Sequence, residues 1–92
     1  MLWLPGNDRV HWMKPEEATQ RLMLSRQTHH GWAMALANRD LKAPPAEYQR
    51  MIREEAAVLR RIAMHHPAKA ETVGHLVEKY EALSKHIGRL EN

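Results

Sequence analysis

Three prolines, Pro15, Pro45 and Pro67, each stand just ahead of a carboxylate, in Pro15-Glu16-Glu17, Pro45-Ala46-Glu47 and Pro67-Ala68-Lys69-Ala70-Glu71. In a first helical turn the N–H that proline lacks would have no intrahelical acceptor, and an early carboxylate opposes the positive end of the helix dipole. Each proline therefore reads as a helix start. Proline breaks a helix interior, so no helix runs through these points. The chain divides into an N-terminal arm (1–14) and three helices, 15–38, 45–66 and 67–90. Phe is absent and few β-branched residues are left over to build a sheet, so the predicted fold class is all-α. The 92 residues make a single domain, 1–92, because chains split into separate cores only at roughly 250 residues.

The third helix has the clearest period. Val73, Leu76, Tyr80, Leu83, Ile87 and Leu90 recur at spacings of 3, 4, 3, 4 and 3, an apolar seam that another helix must cover. Glu78 and Lys85 fall on the opposite face, and Glu81 with Lys85 is an expected i,i+4 pair. The second helix repeats the pattern with Tyr48, Ile52, Glu55, Leu59, Ile62 and His66, widened by Met51, Val58 and Ala63. His65-His66-Pro67 leaves almost no linker, so helices two and three fold back as an antiparallel hairpin with their seams facing. Glu55 is the odd member of its stripe and is expected to pair with an Arg or His from the first helix or from a second subunit.

The first helix carries Ala18, Leu22, Ser25, His29, Trp32 and Leu36 on one stripe, while Met23, Ala33, Met34 and Ala37 spread apolar character around the rest of it. Such a helix wants more than one neighbour. Gly31 interrupts it at about 1 kcal/mol relative to Ala, which points to a kink or a close helix contact near His30. Ahead of it, Leu2-Trp3-Leu4, the turn signal Pro5-Gly6-Asn7-Asp8, then Val10 and Trp12 read as a short β-hairpin or extended arm.

A three-helix domain of this size has a thin core, yet three seams, three Trp and six Met all need cover. A second copy is the simplest cover, giving a dimeric helical bundle. The expected protein interface consists of Trp3, Trp12, Trp32, Met34, Tyr80, Leu83 and Ile87, weighted towards residue types enriched where proteins meet.

Chemistry is less well served. The chain has no cysteine, which removes disulfides, thiolate nucleophiles and Cys-ligated metals. There is no Gly-rich phosphate loop and no serine in a nucleophile-elbow context. Seven histidines, at 11, 29, 30, 65, 66, 75 and 86, are many for this length. Adjacent histidines on a helix point about 100° apart, and no His-x-x-x-His pair occurs on any helix, so no metal site is assigned. Packing could still bring His66 towards His29 or His30. No cofactor and no enzymatic activity are expected. Fourteen Lys and Arg against eleven Asp and Glu leave a net charge of +3, too mild to demand a nucleic-acid partner. Arg50, Arg53, Arg60 and Arg61 gather mostly on the face of helix two opposite its apolar stripe, a candidate anion-binding stripe. No apolar run approaches the roughly 20 residues of a membrane span, and the expected location is the cytoplasm. The sequence thus favours a small non-enzymatic protein-interaction module acting as a homodimer, a regulator, adaptor or inhibitor. The alternative is a nucleic-acid-binding dimer that contacts phosphates through the helix-two arginines.

Overall fold

The computed structural model describes residues 13–91 and, at Glu91, the backbone alone. Its three helices are α1 (Pro15–Ala37), α2 (Pro45–His65) and α3 (Ala70–Gly88). Single 3₁₀ turns, Pro67–Lys69 and Arg89–Glu91, flank α3. Pro15 and Pro45 open their helices as anticipated, the first with the Lys14 N–H donating to Glu17 Oε1 at 2.8 Å. Pro67 opens a 3₁₀ turn instead, closed by the Lys69 N–H on the His66 carbonyl at 2.8 Å, and the α-helix begins at Ala70. The N-terminal arm or hairpin lies outside the described residues. Among the described residues there is no strand, and no helix is long and apolar enough to cross a membrane.

α2 and α3 form the antiparallel hairpin and share the largest contact of the bundle. Tyr48, Ile52, Leu59 and Ile62 from α2 meet Val73, Leu76, Tyr80, Leu83 and Ile87 from α3, all buried. These are the apolar members of the two heptad seams except Leu90, which is 47% exposed, while Glu55 and His66 of the α2 stripe are half-buried. Gly88 permits a close approach near that end. A Cβ there would stand 2.8 Å from Gln49 Nε2, which donates across the hairpin to the Ser84 carbonyl at 3.1 Å.

α1 lies along the groove of this hairpin. Met13 meets His66, Arg21 and Ser25 meet Glu55, and Trp32 meets Tyr48, so α1 runs antiparallel to α2 and parallel to α3. The molecule is an up-down-up three-helix bundle. Ala18, Leu22 and Ser25 are buried, while His29, Trp32 and Leu36, further along the same stripe, are half-buried. α1 runs unbroken through Gly31, and among the described residues nothing stands within 4 Å of where a Cβ would be. The close helix contact expected at Gly31 is therefore not made among the described residues, because this residue lies on the face turned away from the hairpin.

α1 stops by hydrogen bonding. The Arg39 N–H donates to Leu36 O (3.1 Å) and the Asp40 N–H to Ala35 O (2.8 Å), the paired closure of a Schellman motif. The left-handed position this requires is filled by Arg39, at φ 54°, where glycine would be unstrained.

Candidate interaction surface

Where α1 meets the hairpin, the contact is polar and aromatic. Glu55 faces α1 and accepts from Arg21 Nε (3.2 Å), Arg21 Nη2 (2.5 Å) and the Ser25 hydroxyl. Its partner is thus an arginine of the first helix, one of the options its place in the stripe implied. Tyr80, fully buried, donates its hydroxyl to the Ser25 carbonyl at 2.6 Å. Burial, and then the nearby Glu55 charge, push the Tyr80 phenol up to about 12. His29 sets its ring edge-on to Tyr80 at 5.3 Å and donates Nε2 to the Lys79 carbonyl at 3.2 Å. Burial lowers its pKa despite that bond, helped by the neighbouring Lys79 and His30 charges. Trp32 completes the seam, edge-on to Tyr48 (5.7 Å) and Tyr80 (6.0 Å). Every buried side-chain polar atom among the described residues has a partner, so this network is satisfied.

The interface residues anticipated from sequence fall into three groups. Trp3 and Trp12 lie outside the described residues. Tyr80, Leu83 and Ile87 sit inside the chain's own core, at 0, 4 and 0% exposure, so their seam is covered by α2 and α1 rather than presented outward. Trp32 is half-buried against the two tyrosines, and Met34 is 48% exposed. Met34 belongs to an apolar surface with Met23 and Leu24, both 56% exposed, on the outer side of α1. Sequence spacing extends this surface into a second seam. Gln20, Leu24, Gln27, Gly31, Met34 and Asn38 recur at 4, 3, 4, 3 and 4, opposite the stripe that docks on the hairpin, without a charged residue among them.

The helix-two arginines are mostly engaged. Arg50 bridges Glu47 (2.6 Å) and Glu54 (2.8 Å), and these carboxylates hold its pKa above the ordinary value. Arg60 reaches across the hairpin to Glu81 at 3.1 Å. That pairing replaces the anticipated Glu81–Lys85 bridge, which does not form. Arg53 is exposed and shares a shallow groove with Arg60, Glu81 and Lys85, while Arg61 is exposed at the end of the stripe. The stripe is therefore interleaved with acids rather than uniformly positive.

A different set of cations, dispersed in the sequence, is brought together by packing. Arg26 of α1 faces Lys79 of α3 across the groove between the two parallel helices, with Lys69 towards its lower end. None of the three is in an ion pair with a described carboxylate. One sequence signal marks them: each lacks an acidic residue three or four positions to either side, whereas Arg50 has Glu47 and Glu54.

The histidines do not converge. His66 donates to the Met13 carbonyl at 2.9 Å, near the start of α1, while His29 lies beside Tyr80, some 16 residues further along that helix, roughly 24 Å away at 1.5 Å per residue. Among the described residues no three His, Asp or Glu gather as a metal site.

Compared with protein-family models, curated proteins and solved structures, the chain matches none of them. Its function has to be read from its own surfaces.

Proposed function

We propose that this chain is a small non-enzymatic protein-interaction module that works as a homodimer, two copies meeting through the outer face of α1, and that the dimer occludes or bridges the surface of a partner protein. The observation that carries this reading is the uncharged outer seam from Gln20 to Asn38, on a molecule whose other outward helix faces are charged. Its 3-4 spacing suits a second helix crossing at about 20°. Gly31 is open, so a second backbone can approach closely there. A twofold axis sets identical neutral residues against each other without like-charge repulsion, and it covers Leu24 and Met34 together.

Sedimentation equilibrium at micromolar concentration tests it. The expected mass is twice the 10.7 kDa of the chain, reverting to the single-chain value in Leu24→Glu/Met34→Glu while helix content is retained. A wild-type chain that stays at the single-chain mass overturns the dimer.

The second reading, a nucleic-acid-binding dimer using Arg50, Arg53, Arg60 and Arg61, is supported less well, because Arg50 and Arg60 must first leave carboxylates. Absent or salt-insensitive binding to nonspecific duplex DNA rejects it.

A further inference from the structure

We infer that the groove between α1 and α3 binds an acidic, partly apolar peptide segment of a partner protein. This rests on the reading of the chain as a protein-interaction module and uses a surface beside the proposed dimer face, bordering it at Met23 and Gln27. The groove is continuous: Arg26 lines each of three adjoining hollows, of about 710, 560 and 220 Å³. Lys79 flanks the upper two and Lys69 the lowest, while His30 and His75 stand beside them. Among the described residues no carboxylate lines any of the three hollows.

What distinguishes this groove is that its cations stand without a lining carboxylate, whereas Arg53 and Lys85, also in no ion pair with a described carboxylate, share their hollow with Glu81. Arg50, Arg60, Lys42 and Arg21 all hold carboxylates, whereas Arg26, Lys69 and Lys79 hold none among the described residues. Three positive charges gathered without counter-charges repel one another, and an anion laid between them removes that repulsion.

The choice of a peptide over a nucleic acid follows from what surrounds the cations. The floor is mixed, with Leu22 at its lower end and Leu76 in the middle beside Thr19 and Thr72, and exposed Met23 continues the apolar part outward. Glu71 and Glu78, exposed on α3, lie one helical step to the side of Thr72 and Lys79. A polyanion with a charge at every nucleotide meets those carboxylates as well as the cations. A short segment with two or three carboxylates and an apolar residue avoids them and covers the floor. Lys69, at the end of the 3₁₀ turn, and Lys79 on α3 are ten residues apart, roughly 15 Å along the axis, which matches about five residues of extended chain.

The test is fluorescence anisotropy of the purified chain at low salt, with a fluorescein-labelled peptide of alternating glutamate and leucine, and in parallel a labelled single-stranded oligothymidine. The peptide is expected to bind, weakening as salt is raised. Arg26→Gln/Lys79→Gln is expected to lower its affinity roughly tenfold, a control pair, Arg53→Gln/Lys85→Gln, less than about twofold, with helix content unchanged in both. Equal losses in the two pairs, no peptide binding at low salt, or oligothymidine binding that Arg26→Gln/Lys79→Gln abolishes would each overturn the peptide groove. The Leu24→Glu/Met34→Glu chain is expected to bind the peptide as the wild type does. A single-chain mass with peptide binding intact sinks the dimer alone, and a dimer indifferent to the peptide sinks the groove alone.

Discussion

The α2–α3 hairpin and the docked helix α1 are held by different chemistry. Between α2 and α3 the buried set is almost wholly aliphatic, Ile52, Leu59, Ile62, Val73, Leu76, Leu83 and Ile87. Each such side chain contributes about 1.5–3 kcal/mol on full burial, with little demand on orientation. α1 buries Ala18, Leu22 and Ser25 and is otherwise tied by directional contacts, Arg21 and Ser25 to Glu55, Tyr80 to the Ser25 carbonyl, and His29 and Trp32 to Tyr80. Aliphatic burial sets how strongly elements adhere, whereas hydrogen bonds and ring contacts set their register. The hairpin is thus expected to be the more stable unit and α1 the first element to open.

The largest expected effect breaks the hairpin itself. Leu59→Ala, at a position with 0% exposure, should lower stability by about 2–5 kcal/mol and melt all three helices together in a circular-dichroism thermal scan. A loss below about 1 kcal/mol would mean that the aliphatic seam is not the main source of stability.

Glu55→Ala probes the other side of the comparison. It leaves Arg21 and the Ser25 hydroxyl without their acceptor, an expected loss of about 1–3 kcal/mol, nearer the lower figure because Arg21 reaches water. Amide exchange should quicken in α1 while α2 and α3 keep their protection. Uniform quickening would show that α1 is not a separately opening unit.

Alkali should loosen the same seam. Folded Tyr80 keeps its proton up to about 12, whereas an unfolded tyrosine loses it near 10, so this contribution to stability is full below pH 10 and falls between there and about 12. Denaturant titrations across that window should show the decline, and Tyr80→Phe should flatten it. A slope unchanged in Tyr80→Phe would place the alkaline sensitivity elsewhere.

The smallest effect concerns the end of α1. Arg39→Gly removes the strain at φ 54°, with an expected gain of up to about 1 kcal/mol, offset in part by the greater freedom of the unfolded chain. The gain should appear in α1 exchange rates rather than in the hairpin. A destabilised variant would mean that the Arg39 side chain contributes more than its backbone costs.

Much of the scaffold was legible because local rules wrote it. Pro15 and Pro45 stand at the first turn of their helices, and the seams of α2 and α3 are the buried faces. Glu55 was recognisable as a paired group from its place in an apolar stripe, although Arg21 and Ser25, some 30 positions earlier, could not be named before the helices were docked. The arginine stripe of α2 was legible only in part for a related reason. Arg50 could be discounted from Glu47 and Glu54 one turn away, but Arg60 is neutralised by Glu81, which belongs to another helix.

By itself the sequence determined the helices, their polar and apolar faces, and the hairpin, because proline stereochemistry and a 3-4 hydrophobic period act over one or two turns. Tertiary packing decided which surfaces stayed open. It enclosed Tyr80, Leu83 and Ile87, turned Leu24, Gly31 and Met34 outward, and set Arg26 beside Lys79. Those outcomes depend on how α1 lies against the hairpin, and contacts between residues fifty positions apart are not encoded in any local period.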